Sequence, residues 1–296
     1  MWQQLMNNMV IGDFKSLARC ISLVENEVSG YESFMQELPV GNTLIIGITG
    51  SPGAGKSTLT DALIEAYVSQ GQKVAVICVD PSSAFNLGAL LGDRIRMSDW
   101  YNHPSVFIRS LASRGSMGGL HPKIIEITDI MKAAGFDIII IETVGVGQSE
   151  IEIAGLADTT VVVLVPEGGD EIQTMKAGLM EIADIFVVNK ADRPGADSFV
   201  KNLHQMLAPA FHNHEAEIAV VKTVASQKEG IAALKEKIAN HQSTQNIHRR
   251  NWLLAEKAYH LIKNKRMTDV SKEYLKEEIE KKGTAFNLYR FVETFQ

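Results

Sequence analysis

Residues 50–57 read Gly-Ser-Pro-Gly-Ala-Gly-Lys-Ser, a complete G-x-x-x-x-G-K-[ST] loop. No other stretch limits the possible folds as tightly. Its glycines, Gly50, Gly53 and Gly55, let the backbone turn so that successive N–H groups point at a phosphate. Ser51, Pro52 and Ala54 fill the turn between them. Lys56 can reach the β- and γ-phosphates of a nucleotide, and the Ser57 hydroxyl can bind Mg²⁺. The flanks agree with this reading. Residues 42–49 (NTLIIGIT) form an apolar run of the kind that makes a buried parallel strand. From Thr58, residues 58–68 are helical in pattern, with Leu59, Leu63, Ile64 and Tyr67 or Val68 on one face. The loop therefore sits between strand and helix, where the helix N-terminus adds a field that favours anions.

Strand and helix patterns then alternate along the chain. Strand-like runs fall at 44–49, 73–79, 105–108, 137–141, 159–165, 185–188 and 217–222. Helix-like runs fall near 56–69, 122–134, 150–155, 171–182, 196–207 and 231–241. This predicts an α/β fold of the P-loop NTPase kind, a mostly parallel sheet flanked by helices, with ligands at the carboxyl ends of the strands. Ahead of it, 13–31 has helical periodicity, with Leu17, Ile21 and Val24 on one face and Gly30 as a stop. After Ser243 the strand pattern ends. Residues 246–264 and 268–282 read as charged helices with apolar stripes, Trp252, Leu253, Ala258 and Leu261, then Val270, Tyr274, Leu275 and Ile279. The expected division is an N-terminal helical extension (1–41), a nucleotide domain (42–242) and a C-terminal helical arm (243–296). Such an arm packs either on its parent domain or on another subunit.

Composition narrows the partners. The net charge of −6 and pI of about 5.8 argue against a general binder of nucleic acid or of anionic membranes. Cys20 and Cys78 make no metal spacing and no disulfide framework, as expected for a reducing cytosol. No apolar run approaches the ~18 residues of a membrane span. Residues 1–20 have neither a signal-peptide core nor transit-peptide character, so a cytoplasmic location is expected.

Two further motifs carry chemistry. Residues 137–142 (DIIIIE) are a hydrophobic strand ending in Glu142, where nucleotide hydrolases keep a carboxylate for Mg²⁺. Glu142-Thr143-Val144-Gly145 has the form of the γ-phosphate-sensing D-x-x-G element, with Glu in place of Asp. Many GTPases place a water-orienting Gln directly after that glycine. Here the position is Val146, and Gln148 lies two residues further on. Slow intrinsic hydrolysis, accelerated by a partner or a rearranged switch, is the expectation. Asn189-Lys190-Ala191-Asp192 follows the apolar run 185–188 and is the N-K-x-D base-reading element. Asp192 can accept two hydrogen bonds from guanine N1–H and the N2 amino group. Adenine lacks that pair, so a carboxylate buried here would be left unpaired against ATP. Asn189 and Lys190 buttress the loop and pack on the base. Val224, Ala225 and Ser226 sit where such proteins offer a backbone N–H to the guanine oxygen. Asp80 follows the strand-like run 73–79 and Asp93 lies in the loop beyond, each where a mobile switch can meet Mg²⁺ or the γ-phosphate. A solvated loop acid is the plainer reading of Asp93.

Together these motifs resemble the MeaB/ArgK family of P-loop GTPases. The resemblance rests on GSPGAGKST (50–58), VDPSS (79–83), LGDRIRM (91–97), ETVGVGQSE (142–150), PEGGDEIQ (166–173) and NKAD (189–192), and spans roughly 17–239. It implies a GTP/GDP- and Mg²⁺-dependent enzyme that hydrolyses GTP slowly and forms a homodimer through its C-terminal arm. It further implies a chaperone for an adenosylcobalamin-dependent acyl-CoA mutase, chiefly methylmalonyl-CoA mutase. In that role GTP gates cofactor loading and protects or rescues the mutase. By the same resemblance Asp93 and Glu142 are Mg²⁺-site residues and 166–176 is a third switch. Lys176 then supplies charge to the transition state, although a helix-surface lysine is the commoner role. Two other readings compete. A metallochaperone GTPase is weakened by eight scattered histidines, and a kinase of lysine/arginine/ornithine transport is weakened by NKAD.

Overall fold

The computed structural model describes residues 1–80, 97–112, 120–143, 152–167, 180, 182–207, 218–244, 247–267, 269–282 and 287–295. Seven strands build one sheet: β1 (Leu44–Gly50), β2 (Val74–Asp80), β3 (Val106–Ala112), β4 (Ile138–Glu142), β5 (Thr159–Leu164), β6 (Ile185–Val188) and β7 (Ala219–Lys222). Their order is β3-β2-β4-β1-β5-β6-β7, and every pair is parallel. The expected fold class is thus the observed one. β1, β4, β5 and β6 are buried along their whole length. Continuous β-branched runs such as Ile138-Ile139-Ile140-Ile141 suit a sheet covered on both faces.

β1 stands where the winding reverses. β2 and β3 are laid on one side of it and β5, β6 and β7 on the other. A ligand crevice at the carboxyl ends of the strands is expected at such a point. The register sets Ile48 of β1 and Cys78 of β2 beside Glu142, the last residue of β4. Alternate residues of each strand feed opposite cores. Ile46, Ile48 and Ile140 pack with Leu59 and Leu63 of α4 (Lys56–Val68) and with Leu234 and Ile238 of the helix Ile231–Thr244. Ile45, Ile139 and Ile141 join the opposite cluster, with Ile127 and Met131 of the helix Ile124–Ala133. A third cluster joins β5 and β6 to Phe199, Leu203 and Leu207 of the helix Ala196–Leu207.

The N-terminal segment departs from the single helix expected over 13–31. It forms α1 (Trp2–Val10), α2 (Phe14–Glu25) and α3 (Tyr31–Gln36). Asp13 caps α2, accepting from the Lys15 and Ser16 N–H groups at 3.2 and 3.1 Å. The break after α2 has a backbone cause. Glu27 and Gly30 both take positive φ, 50° and 89°, and a Cβ at residue 30 would collide with the Trp2 indole. The apolar stripe was legible: Leu17, Ile21 and Val24 are all buried in the cluster with Ile45 and Ile139. Arg109 of β3 pairs with Glu25 at 2.8 Å.

Elsewhere the expected elements shift by a few residues. The strand expected at 105–108 runs on to Ala112, and the last strand begins at Ala219. Of the helix expected at 150–155, Ile153–Gly155 is a single 3₁₀ turn. The helix expected at 171–182 lies almost wholly outside the described residues.

The chain divides into two compact units, Met1–Ile247 and His248–Gln296. The second carries the helices Ile247–Arg266 (from its second residue on), Lys272–Lys282 and Leu288–Val292. Within it Phe291 is buried, and the Phe291 and Phe295 rings meet edge-on at 5.0 Å. Trp252, Leu254, Tyr259, Ile262 and Tyr289 are exposed. Among the described residues no helix is long and apolar enough to cross a membrane. Cys20 and Cys78 are buried free thiols.

Candidate functional site

β1 ends at Gly50 and α4 begins at Lys56, so the 50–57 motif forms the turn between them. Two of its glycines are dictated by close neighbours. At Gly50, φ 138°, a Cβ would overlap the Val163 carbonyl; at Gly55, φ 91°, it would overlap the Asn189 amide. No side chain caps α4. A helix start without a side-chain cap suits a phosphate, which the helix N-terminus favours. Lys56 is 7% exposed, and its Nζ donates to the carbonyls of Gly50 at 2.8 Å and Ser51 at 3.1 Å. The ammonium is therefore held over the loop rather than in solvent.

Glu142 meets α4 directly. The Ser57 hydroxyl donates to Glu142 Oε1 at 2.6 Å, and the Thr60 hydroxyl donates to Oε2 at 3.1 Å. Glu142 is 4% exposed. The next residue is fixed too. Thr143 N–H donates to the Ile48 carbonyl at 3.0 Å, and its hydroxyl lies 2.9 Å from that of Thr49. An uncapped helix start, a lysine and a hydroxyl–carboxylate pair thus converge at the ends of β1 and β4. Two hard oxygen donors side by side suit Mg²⁺, which takes few protein ligands alongside phosphates and waters. Sequence reasoning missed Thr60. A threonine one turn into an apolar-faced helix carries no local signal, and only the folded strand β4 brings it a partner.

The loop after β6 is tied to the phosphate turn by one buried side chain. Asn189, 2% exposed, donates from Nδ2 to the Ala54 carbonyl at 2.9 Å. Its Oδ1 accepts from the Thr223 hydroxyl at 3.0 Å and from Ala225 N–H at 3.1 Å. Lys190 takes a left-handed φ of 55°, and its Nζ donates to the Gly53 carbonyl at 2.8 Å. Asp192 is exposed, not buried as its sequence reading assumed. Its neighbour Ala191 makes the inward bond, to the Thr223 carbonyl at 3.0 Å, which leaves Asp192 on the rim. Of Val224, Ala225 and Ser226, the first two spend their N–H groups internally, on the Glu229 carbonyl and Asn189 Oδ1. Ser226 is the exposed member of the three. Beside Asp192, Arg193 pairs with Glu167. That hydrogen bond holds the Glu167 carboxyl below its usual range.

Asp93, Val146, Gln148 and Lys176, and the side chain of Asp80, lie outside the described residues. Among the described residues no group of three or more His, Cys, Asp or Glu side chains could hold a metal ion.

The model of the family described as methylmalonyl-CoA mutase-associated GTPase MeaB matches residues 17–280. A putative GTPase of Pyrococcus abyssi is 48% identical over 247 residues, covering 82% of this chain and 76% of its own. The fused isobutyryl-CoA mutase of Geobacillus kaustophilus is 37% identical over 231 residues, covering 73% of this chain and 21% of that longer protein. The crystal structure of an LAO/AO transport system kinase superposes with a TM-score of 0.74 at 26% identity, covering 99% of this chain and 96% of that one. The chain therefore belongs to the MeaB/ArgK family of P-loop GTPases, enzymes that bind guanine nucleotide and hydrolyse GTP.

Proposed function

We propose that this GTPase is a chaperone for an adenosylcobalamin-dependent acyl-CoA mutase, methylmalonyl-CoA mutase foremost, gating cofactor loading and protecting or reactivating the mutase. The observation that carries the client class is the Geobacillus relative, in which a segment 37% identical to this chain sits inside a protein described as a fused isobutyryl-CoA mutase. The family description points the same way. Two proteins that must cooperate can be joined in one chain or left separate, and joining raises the effective concentration of one for the other.

On this reading residues 50–58 hold the GTP phosphates, with Lys56 moving its ammonium from the Gly50 and Ser51 carbonyls onto the β- and γ-phosphates. Asp192 reads the guanine edge, Lys190 and Asn189 frame it, and the Ser226 N–H serves the guanine oxygen. Ser57 and Glu142 would hold Mg²⁺, with Asp80 and Asp93 as the further carboxylates. The ion when bound neutralises charge on the transferring phosphoryl group. Val146 in place of a catalytic Gln, with Gln148 displaced by two residues, makes unassisted turnover slow. Lys176 in the third switch is the group proposed to add charge once a partner closes it. The exposed apolar side chains of the C-terminal arm fit a homodimer contact. The site of action is the cytoplasm.

The transport-kinase reading has one structural relative in its favour, but a guanine-reading carboxylate at residue 192 does not serve an ATP-using enzyme. The test of the chaperone reading is co-elution with methylmalonyl-CoA mutase and isobutyryl-CoA mutase, with GDP or with a non-hydrolysable GTP analogue. A complex whose abundance changes with nucleotide is the expected result. Failure to bind either mutase in any nucleotide state overturns it.

A further inference from the structure

We infer that Thr60 is a positioning residue for the Mg²⁺ site, holding the Glu142 carboxylate in the orientation that presents Oε1 beside Ser57. The inference rests on the proposed Mg²⁺ role of Ser57 and Glu142. Thr60 lies one turn beyond Ser57 on α4, so the two hydroxyls project from the same helix face. Each takes one oxygen of the same carboxylate, Ser57 at 2.6 Å and Thr60 at 3.1 Å. Both Thr60 and Thr49 beside the turn are wholly buried, and Glu142 is 4% exposed, so water does not supply an easy substitute donor.

The need for a second anchor follows from the residue type. This element commonly ends in Asp, and Glu142 carries one more methylene and one more torsion to immobilise. A stiff, β-branched side chain suits the task. Helical threonine otherwise often bonds the carbonyl four residues back; here its hydroxyl faces Glu142 instead. If Mg²⁺ binds, Ser57 would offer it an oxygen lone pair and could keep its O–H on Oε1, while the Thr60 bond is on the other carboxylate oxygen and can persist. Thr60 thereby keeps the carboxylate aimed with or without the ion, without itself touching ion or nucleotide.

The test is release of a fluorescent GDP analogue measured across a Mg²⁺ titration, for wild type, Thr60→Val, Thr60→Ser and Glu142→Gln. Valine keeps the shape and removes the donor. The Mg²⁺ concentration giving half-maximal retention should rise about 10- to 100-fold, the worth of one buried bond to a charged group. Retention without Mg²⁺ should not change, and Thr60→Ser should restore the wild-type titration. A general loss of structure would instead weaken GDP binding with and without the ion. If Thr60→Val does not fold, Thr60→Cys, with similar bulk and a far weaker donor, takes its place. A shift with Glu142→Gln but none with Thr60→Val or Thr60→Cys overturns the role of Thr60 alone. No shift with any variant overturns the Mg²⁺ assignment together with it.

Discussion

The phosphate end and the base end of the site solve the same problem in opposite ways. At the phosphate end the functional groups are already spent on one another. Lys56 sits on the Gly50 and Ser51 carbonyls, and Ser57 on Glu142. On the proposed reading Lys56 exchanges these carbonyls for the phosphates, while Ser57 would offer a lone pair to the ion and could keep its O–H on Glu142. At the base end the spent groups are the scaffold. Asn189 makes three inward hydrogen bonds and Lys190 one, while Asp192 stands exposed. Binding there adds contacts without breaking any. Exchange keeps buried polar groups satisfied in both states, which matters because an orphaned buried charge is costly. A preformed rim holds the ordering cost of base recognition down. On the proposed reading the phosphate end is the one that changes state, and the base end holds the nucleotide while it does.

The largest expected effect tests the exchanging end. Lys56→Ala removes the cation that is to follow the developing charge on the phosphates. Single-turnover GTP hydrolysis should fall on the order of 10²- to 10³-fold, as when a preorganised charge stabiliser is deleted. A loss smaller than about 10-fold would mean that Lys56 stays on the loop carbonyls and that no exchange takes place.

A smaller effect, but one confined to the other end, is expected from Asp192→Asn. GTP affinity should drop by about 10- to 100-fold, the range for losing hydrogen bonds to a charged acceptor. Xanthosine triphosphate, which offers an acceptor where guanine has its amino donor, should bind the variant better than GTP does. Thermal stability without nucleotide should be unchanged, because Asp192 is exposed. Destabilisation of the free protein would contradict the separation of scaffold from reader.

How far the sequence discloses this division depends on whether the signal is local. The sheet was legible because stretches such as 138–141 and 159–163 are unbroken β-branched runs, which suit a parallel sheet buried on both faces. The phosphate turn was legible because positive φ, with the Val163 carbonyl against residue 50 and the Asn189 side-chain amide against residue 55, calls for glycine at both. Residues 189–192 were legible as a motif, but not the exposure of Asp192, which follows from the inward bonds of its neighbours. The N-terminal break was hidden because one of its left-handed residues is Glu27, a type that gives no warning of positive φ. Thr60 was hidden for a deeper reason. Its partner lies 82 residues away in sequence, and nothing in residues 56–68 distinguishes it from a core position.

The smallest expected effect asks whether the base rim is as self-sufficient as its inward bonds suggest. Arg193 follows Asp192 directly and pairs with Glu167, two residues past the end of β5 and its following Val165. Both partners are roughly half exposed, at 46% and 48%. Screening and side-chain entropy leave such pairs little net strength. Arg193→Gln should therefore change the dissociation rate of a fluorescent GDP analogue by no more than a few-fold, and 0.5 M salt should bring wild type to the same rate. Glu167→Gln should match it, and the double variant should add nothing. Dissociation faster by more than about 10-fold would mean that Asn189 and Lys190 do not hold the rim alone. The pair would then be a working tie between the base loop and the chain beyond Glu167, and the base end would share in the change of state that the phosphate end undergoes.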